Sequence, residues 1–264
     1  VDGSPTVVLV AGLGERAENW SATTNPNDGR RAVYPRVAKF TRVCAYDRPG
    51  TATMEESGWE LTTSTPVPQP TTVKALAADL DALLKASGEP GPYVLVGHSL
   101  GGGVVRLYAS TYPEKVAGLL LDDALSEDLG DGLTPEQLAD FEALNSPAIQ
   151  GRPSGSETVD YTAFVQQLRA ARPFPAVPMV ILTADRFSIT PDAVASGALP
   201  PFVTQAFADA LWSSQLAAQD KLAAQYPGAD HITTTNATHY THNDNPRLVV
   251  DSIRDVVRLV RSHQ

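Results

Sequence analysis

The 264-residue sequence predicts an α/β fold, a mostly parallel central sheet flanked by helices, and three observations carry that expectation. Short apolar runs rich in β-branched residues recur along the chain, and helical stretches separate them. One run, "YVLVGHSLGGG" at 93–103, passes from strand-like sequence through a glycine-fenced serine straight into a helix. Strands alternating with helices imply parallel pairing through right-handed crossovers.

In chain order, the expected strands are "TVVLVAG" (6–12), "TRVCAYD" (41–47), "YVLVGHS" (93–99), "VAGLLLDDA" (116–124), "VPMVILTAD" (177–185) and "DHITTTNATH" (230–239). Near-continuous Val, Ile and Leu is the signature of strands covered on both faces. The expected helices are "RAVYPRVAKF", "VKALAADLDALLKASG", "GGVVRLYASTYPEK" and the late "PRLVVDSIRDVVRLVRSH". In the last, Leu248, Val249, Ile253, Val256, Val257 and Val260 fall on one face at helical spacing. Two segments break the rhythm. Residues 51–72, with "TTSTPVPQPTT", are polar and proline-rich, which predicts a loop. Residues 125–176 hold helix-like pieces around "TPEQLADFEAL" and "DYTAFVQQLRAAR", and an excursion of that length from a parallel sheet predicts a lid over the strand ends. The chain thus reads as one domain, 1–264, with 125–176 inserted as a lid. The stretch 191–226 is mostly helical and carries Phe202, Phe207 and Trp212.

An apolar fraction of 42% suits a substantial core, and a net charge of −10 argues against nucleic acid or an anionic membrane as partner. A small molecule is the expected partner. Cys44 is the single cysteine, so no intrachain disulfide forms. That fits a cytoplasmic protein, or one secreted after loss of a leader, because a large core needs no staple. No apolar run approaches the roughly 20 residues that span a bilayer. The opening "VDGSPTVV" has no Met and no leader-like segment, consistent with trimming upstream.

The chemistry centres on Gly97, Ser99 and Gly101, which complete G-x-S-x-G between a strand and a helix. A sharp turn there presents the hydroxyl at the strand's carboxyl end, with glycines two residues either side preventing collision. A serine hydroxyl needs a base to take its proton, an acid to orient that base, and donors for the developing oxyanion. "TTTNATHYTHNDNPRLVV" offers His239, which comes directly off the last strand, and His242 as its rival. Read instead as metal ligands, this H-x-x-H pair lacks further ligands nearby. Asp122, Asp123 and Asp185 all close strands at carboxyl ends, where sites of open α/β sheets gather. Any of them could instead be a helix cap or a loop anchor. The oxyanion donors are expected to be the backbone N–H groups of Leu100, at the start of the helix, and Leu13, in the "AGLG" turn. The same turn begins "GLGERA" (12–17), a match to the dinucleotide fingerprint G-x-G-x-x-A. The helix expected there is broken by "NWSATTNPNDG", and the acidic residue closing the next strand, Asp47, lies too far on.

With "VVLVAGLG" and Trp20 beyond it, "AYDRPG", "GPYVLVGHSLGGG", "VAGLLLDDA" and "ATHYTHNDNPRLVVDSI" in this order, the chain resembles the α/β-hydrolase superfamily over nearly its whole length, in its lipase and esterase-like branch with a Ser nucleophile. The resemblance implies a Ser99–His239–Asp triad and no metal or organic cofactor. Where many members carry G-x-x-D, this chain has "TADRF", with Thr183 at the glycine position and Arg186 at the aspartate position. Asp185 is offset by one, so the resemblance favours Asp123 as the acid, with Asp185 as the alternative. The family's first two antiparallel strands are absent or trimmed. Trp20, Leu125, Phe141 and Trp212 are expected at the substrate, with Phe164 a further apolar residue of the lid. The implied reaction is cleavage of a small, largely apolar carboxylic ester or lactone through an acyl-enzyme. The alternatives are amide, thioester or carbon–carbon cleavage by the same residues, or a ligand-binding protein without turnover.

Overall fold

The computed structural model describes residues 5–24, 32–55, 58–173 and 176–262. The six apolar runs all enter one sheet: β1 (Val7–Val10), β2 (Val43–Ala45), β5 (Tyr93–His98), β6 (Val116–Asp122), β7 (Met179–Leu182) and β8 (Asp230–Ile232). Every neighbouring pair is parallel, in the order β2-β1-β5-β6-β7-β8. The mostly parallel sheet expected from the alternation is therefore the observed one.

Alternation along each strand splits the core into two halves. Val8, Val10, Leu95, Leu119 and Leu121 point to one face, and there they meet α2 (Val73–Ser87) and α3 (Leu100–Thr111) through Leu76, Leu80, Val104 and Tyr108. Val7, Leu9, Val94, Val96 and Leu120 point to the other, against α1 (Val33–Val37) and α9 (Pro246–Ser262) through Val33, Val37, Val249, Ile253 and Val257. Several helices begin where the sequence provides a first-turn side-chain acceptor. Thr72 takes the Ala75 N–H to start α2, and Gly88 ends it at φ 68. Burying these stripes from water is the main favourable term in the fold.

In the chain, α4 (Pro135–Leu144) and α5 (Tyr161–Arg169) lie between β6 and β7, α6 (Pro191–Ala195) and α7 (Gln205–Gln225) between β7 and β8, and α8 (Thr241–Asp244) follows β8. Within 125–176 the two helices differ. In α5, Phe164 and Leu168 are buried in the α2/α3 half of the core, and Phe164 closes directly over Gly103. Phe164 is thus a packing residue, not a pocket residue. α4 has no buried side chain. Among the described residues, no helix is long and apolar enough to cross a membrane.

Two differences from the expected elements are informative. Residues 51–72 are not all loop, because β3 (Ala52–Glu55) and β4 (Gly58–Leu61) form an antiparallel hairpin with Glu55 opposite Gly58. Its pairing is extended by the Thr62 N–H donating to the Thr51 carbonyl at 2.9 Å. The hairpin carries no apolar run, so hydrophobic periodicity could not find it. The last expected strand stops at Ile232, and 233–239 leaves the sheet. β8 is an edge strand, so the chain can turn away over the sheet's carboxyl edge.

One ion pair joins distant parts of this fold. Arg48, after β2, and Glu157, before α5, are 2% and 0% exposed, and Arg48 Nη2 donates to Glu157 Oε2 at 2.9 Å. Arg48 also donates to the carbonyls of Ala11 and Gly12, while Glu157 accepts the Gly14 N–H at 2.7 Å. The pair is thus bonded internally and to three backbone groups of the loop after β1. Removing one partner strands the other as a buried charge. We expect Arg48→Met to lower urea-denaturation stability by about 3–5 kcal/mol, and Arg48→Met/Glu157→Leu to recover most of that loss.

Candidate active site

Side chains that follow five strands meet at the carboxyl edge of the sheet. Ser99, between β5 and α3, has φ 51 and ψ −119. Among the described residues, the non-glycine positions with positive φ are Ser99, Asp123 and Asn236. Ser99 and Asp123 line one cavity, and Asn236 starts the loop that carries His239 into it. Strained backbone that clusters at one place has to be maintained by its surroundings. The surroundings are visible here: a Cβ on Gly101 would lie 2.2 Å from the Val10 carbonyl oxygen, and one on Gly97 would lie 2.5 Å from that of Gly101. Only glycine permits so tight a turn.

Asp123 is buried, with its side chain 2% exposed, and its Oδ2 lies 2.6 Å from His239 Nδ1. Its two oxygens also accept the Ala184 N–H at 3.0 Å and Gln215 Nε2 at 3.3 Å. A carboxylate can only accept, so His239 carries a hydrogen on Nδ1. His239 is 35% exposed at the cavity it shares with Ser99. Asp185, the alternative acid, is exposed and accepts the N–H groups of Asn236 and Ala237 at 2.9 and 3.0 Å. Although burial alone would raise its pKa, those backbone donors hold it below the usual carboxylate range. Asp185 therefore fastens the loop leading to His239.

Leu13 and Leu100 both line the cavity. Leu100 opens α3, so its N–H has no acceptor within the helix. The N–H groups on either side of Leu13 are committed to buried carboxylates, Gly12 to Glu15 Oε2 at 2.6 Å and Gly14 to Glu157 Oε2 at 2.7 Å. The cavity has a volume of about 320 Å³. Its apolar lining includes Leu125, Phe141, Leu144, Phe187, Leu211 and Trp212, with Phe187 and Trp212 stacked at 5.1 Å. Leu125, Phe141 and Trp212 thus line the cavity. Trp20 does not. It is 1% exposed in the α1/α9 half of the core, its ring 4.5 Å from that of His242, because the loop after β1 folds it inward.

His242, the rival base, is buried away from this cavity, with Nδ1 3.0 Å from Asp122 Oδ2. It belongs to a second, interior cluster that the sequence reading missed. Glu15, His98 and His242 bring potential metal-ligating atoms within 4.8 Å of one another. Both nitrogens of His98 are already occupied, however, Nδ1 at 2.8 Å from Glu15 Oε2 and Nε2 at 2.8 Å from the His239 carbonyl. Both partners only accept, so both nitrogens carry hydrogen and neither has a lone pair for a metal. Burial alone would depress the His98 pKa, but the Glu15 carboxylate outweighs it and raises it to about 9. In return, against the opposing effect of burial, His98 holds Glu15 far below the usual carboxylate range. His98 lies inside the G-x-S-x-G motif and Glu15 two residues after Leu13, but pairing across the sheet left no sign in the sequence.

The sequence matches the model of the Alpha/beta hydrolase family over residues 7–252. The fold is similar to that of a thermophilic esterase from Thermogutta terrifontis, with TM-score 0.59, 19% identity and coverage of 98% of this chain and 92% of that one. It is also similar to a pyrethroid hydrolase from Sphingobium faniae JZ-2, with TM-score 0.55, 17% identity and coverage of 96% and 97%. A 92-residue stretch, 35% of this chain, is 34% identical to an uncharacterised protein of Schizosaccharomyces pombe and spans 15% of that protein's length.

The Glu15–His98 pair sets a pH dependence of stability. His98 rises from 6.5 to about 9 on folding, so its contribution is complete below pH 6.5 and is lost as pH climbs through about 9. Glu15, Asp122, His239, Tyr240 and His242 surround it. The Tm gap between the wild type and His98→Asn is therefore expected to narrow from pH 6.5 to 9. A gap constant over that range in thermal melts would contradict the buried cation.

Proposed function

Because the chain belongs to the alpha/beta hydrolase family, we propose that it is a serine hydrolase that cleaves carboxylic esters or lactones of small, largely apolar substrates. The observation that carries the reading is the 2.6 Å contact between His239 Nδ1 and buried Asp123, beside Ser99 in one apolar cavity. Ser99 Oγ attacks the ester carbonyl while His239 Nε2 takes its proton, and Asp123 stabilises the resulting imidazolium through Nδ1–H. The carbonyl oxygen becomes an oxyanion held by the Leu13 and Leu100 N–H groups, worth on the order of 3 kcal/mol per donor. Collapse of the tetrahedral intermediate breaks the C–O bond, and His239 returns the proton to the departing alcohol. Water, deprotonated by His239, then releases the acid and restores Ser99. Residues 125–176 act as a cap on this site, supplying Leu125, Phe141 and Leu144 to the acyl or alcohol pocket.

Support for a small apolar substrate comes from the cavity, whose volume of about 320 Å³ is at the low end for small-molecule sites. In a p-nitrophenyl ester series, we expect short and medium acyl chains to be favoured over long ones.

A fluorophosphonate is expected to label Ser99, and Ser99→Ala to lose both the label and roughly 10⁴-fold or more in kcat. Asp123→Asn is expected to lower kcat by roughly 10³–10⁴-fold, against about tenfold or less for Asp185→Asn, which disturbs only the loop. Ester turnover that survives in Ser99→Ala would refute the assignment.

A further inference from the structure

We propose that the buried Glu15–His98 pair is a positioning pair that locks the oxyanion loop, the serine turn and the histidine loop into one register. This rests on the roles given above to Ser99, His239 and Leu13. Three contacts in series carry it. The Gly12 N–H donates to Glu15 Oε2 at 2.6 Å, the same oxygen lies 2.8 Å from His98 Nδ1, and His98 Nε2 lies 2.8 Å from the His239 carbonyl oxygen. Each end is at the chemistry. Gly12 precedes Leu13, His98 precedes Ser99, and the last acceptor is the backbone of His239 itself. The backbone–side-chain chain thus crosses from the loop after β1, through the end of β5, to the loop after β8.

Glycine at position 12 is part of the device, because a Cβ there would lie 2.7 Å from Glu15 Oε2 and 2.8 Å from His98 Nδ1. The pair is pressed against the backbone of the loop it holds. His98 also packs against two further rings, tilted to His239 at 4.7 Å and edge-on with His242 at 4.5 Å between centroids, and His242 is in turn held by Asp122. A single carboxylate oxygen accepts from both Gly12 and His98. Glutamine could offer one amide oxygen to both donors, but it would leave the doubly protonated His98 ring without its opposing charge. The raised His98 pKa, about 9, agrees with a ring that stays doubly protonated through the neutral range.

The test compares wild type, Glu15→Gln, His98→Asn, the double variant and Glu15→Asp. Active-site titration with a fluorophosphonate counts competent molecules, so a variant that merely folds less loses titre while keeping its kcat per site. Positioning predicts that each single variant loses about 10–100-fold in kcat per titrated site with KM within about twofold. It also predicts that the double variant is no worse than the worse single one, and that Glu15→Asp recovers part of the rate. In ¹⁵N spectra of the wild type at pH 8, both His98 nitrogens should be protonated. Unchanged kcat per site, single effects that multiply in the double variant, or a neutral His98 ring would overturn the proposal. Wild type that takes no label at Ser99 would instead refute the nucleophile assignment on which it rests.

Discussion

Ser99 sits at φ 51 because two stretches of main chain come closer there than any side chain would permit. Gly97 and Gly101 leave the space, the Val10 carbonyl closes on Gly101, and α3 starts within one residue of the end of β5. From that crossing follows the placement of everything else at the edge. β5 is held between β1 and β6, so fixing Ser99 against Val10 also fixes the loop after β1 relative to the residues that close β6. The cost of the strained turn is carried by a sheet whose central strands are buried on both faces, where a local relaxation would have to disturb the core.

The carboxylates at this edge are distributed by environment. Asp122 and Asp123 are consecutive, so their side chains leave β6 on opposite sides, one toward His242 and one toward His239. Asp185, one strand over, is exposed and spends its oxygens on backbone N–H groups. A protein with net charge −10 thus places its interior negative charges where an imidazole, a guanidinium or an ammonium meets them.

The parallel sheet was legible because each strand is a short run of Val, Leu and Ile, and burial on two faces leaves little room for anything else. That Ser99, Asp123 and His239 would come to one cavity was legible because Ser99 and Asp123 directly follow apolar strands and His239 lies on the loop after the last one, and such ends collect together. The hairpin at Ala52–Leu61 was not, since its residues carry no apolar periodicity and its stability comes from backbone pairing. Trp20 was misplaced for a different reason: sequence order put it beyond the loop after β1, but only the chain's path decides whether an aromatic ring turns toward a cavity or a core. Glu15, His98, Arg48 and Glu157 escaped because their meaning lies in partners up to 143 positions away.

The Arg48–Glu157 contact makes the segment before α5 and the loop after β1 a single mechanical part. Glu157 arrives from the stretch that supplies part of the cavity wall, yet its oxygens are spent on Arg48 and the Gly14 backbone. Exchanging that stretch for one from another hydrolase would therefore transplant, or delete, half of a charge lock whose other half stays in the host. Chimaeras divided on either side of it would inherit an unmatched guanidinium under the very loop they were meant to preserve, so the two positions must travel together.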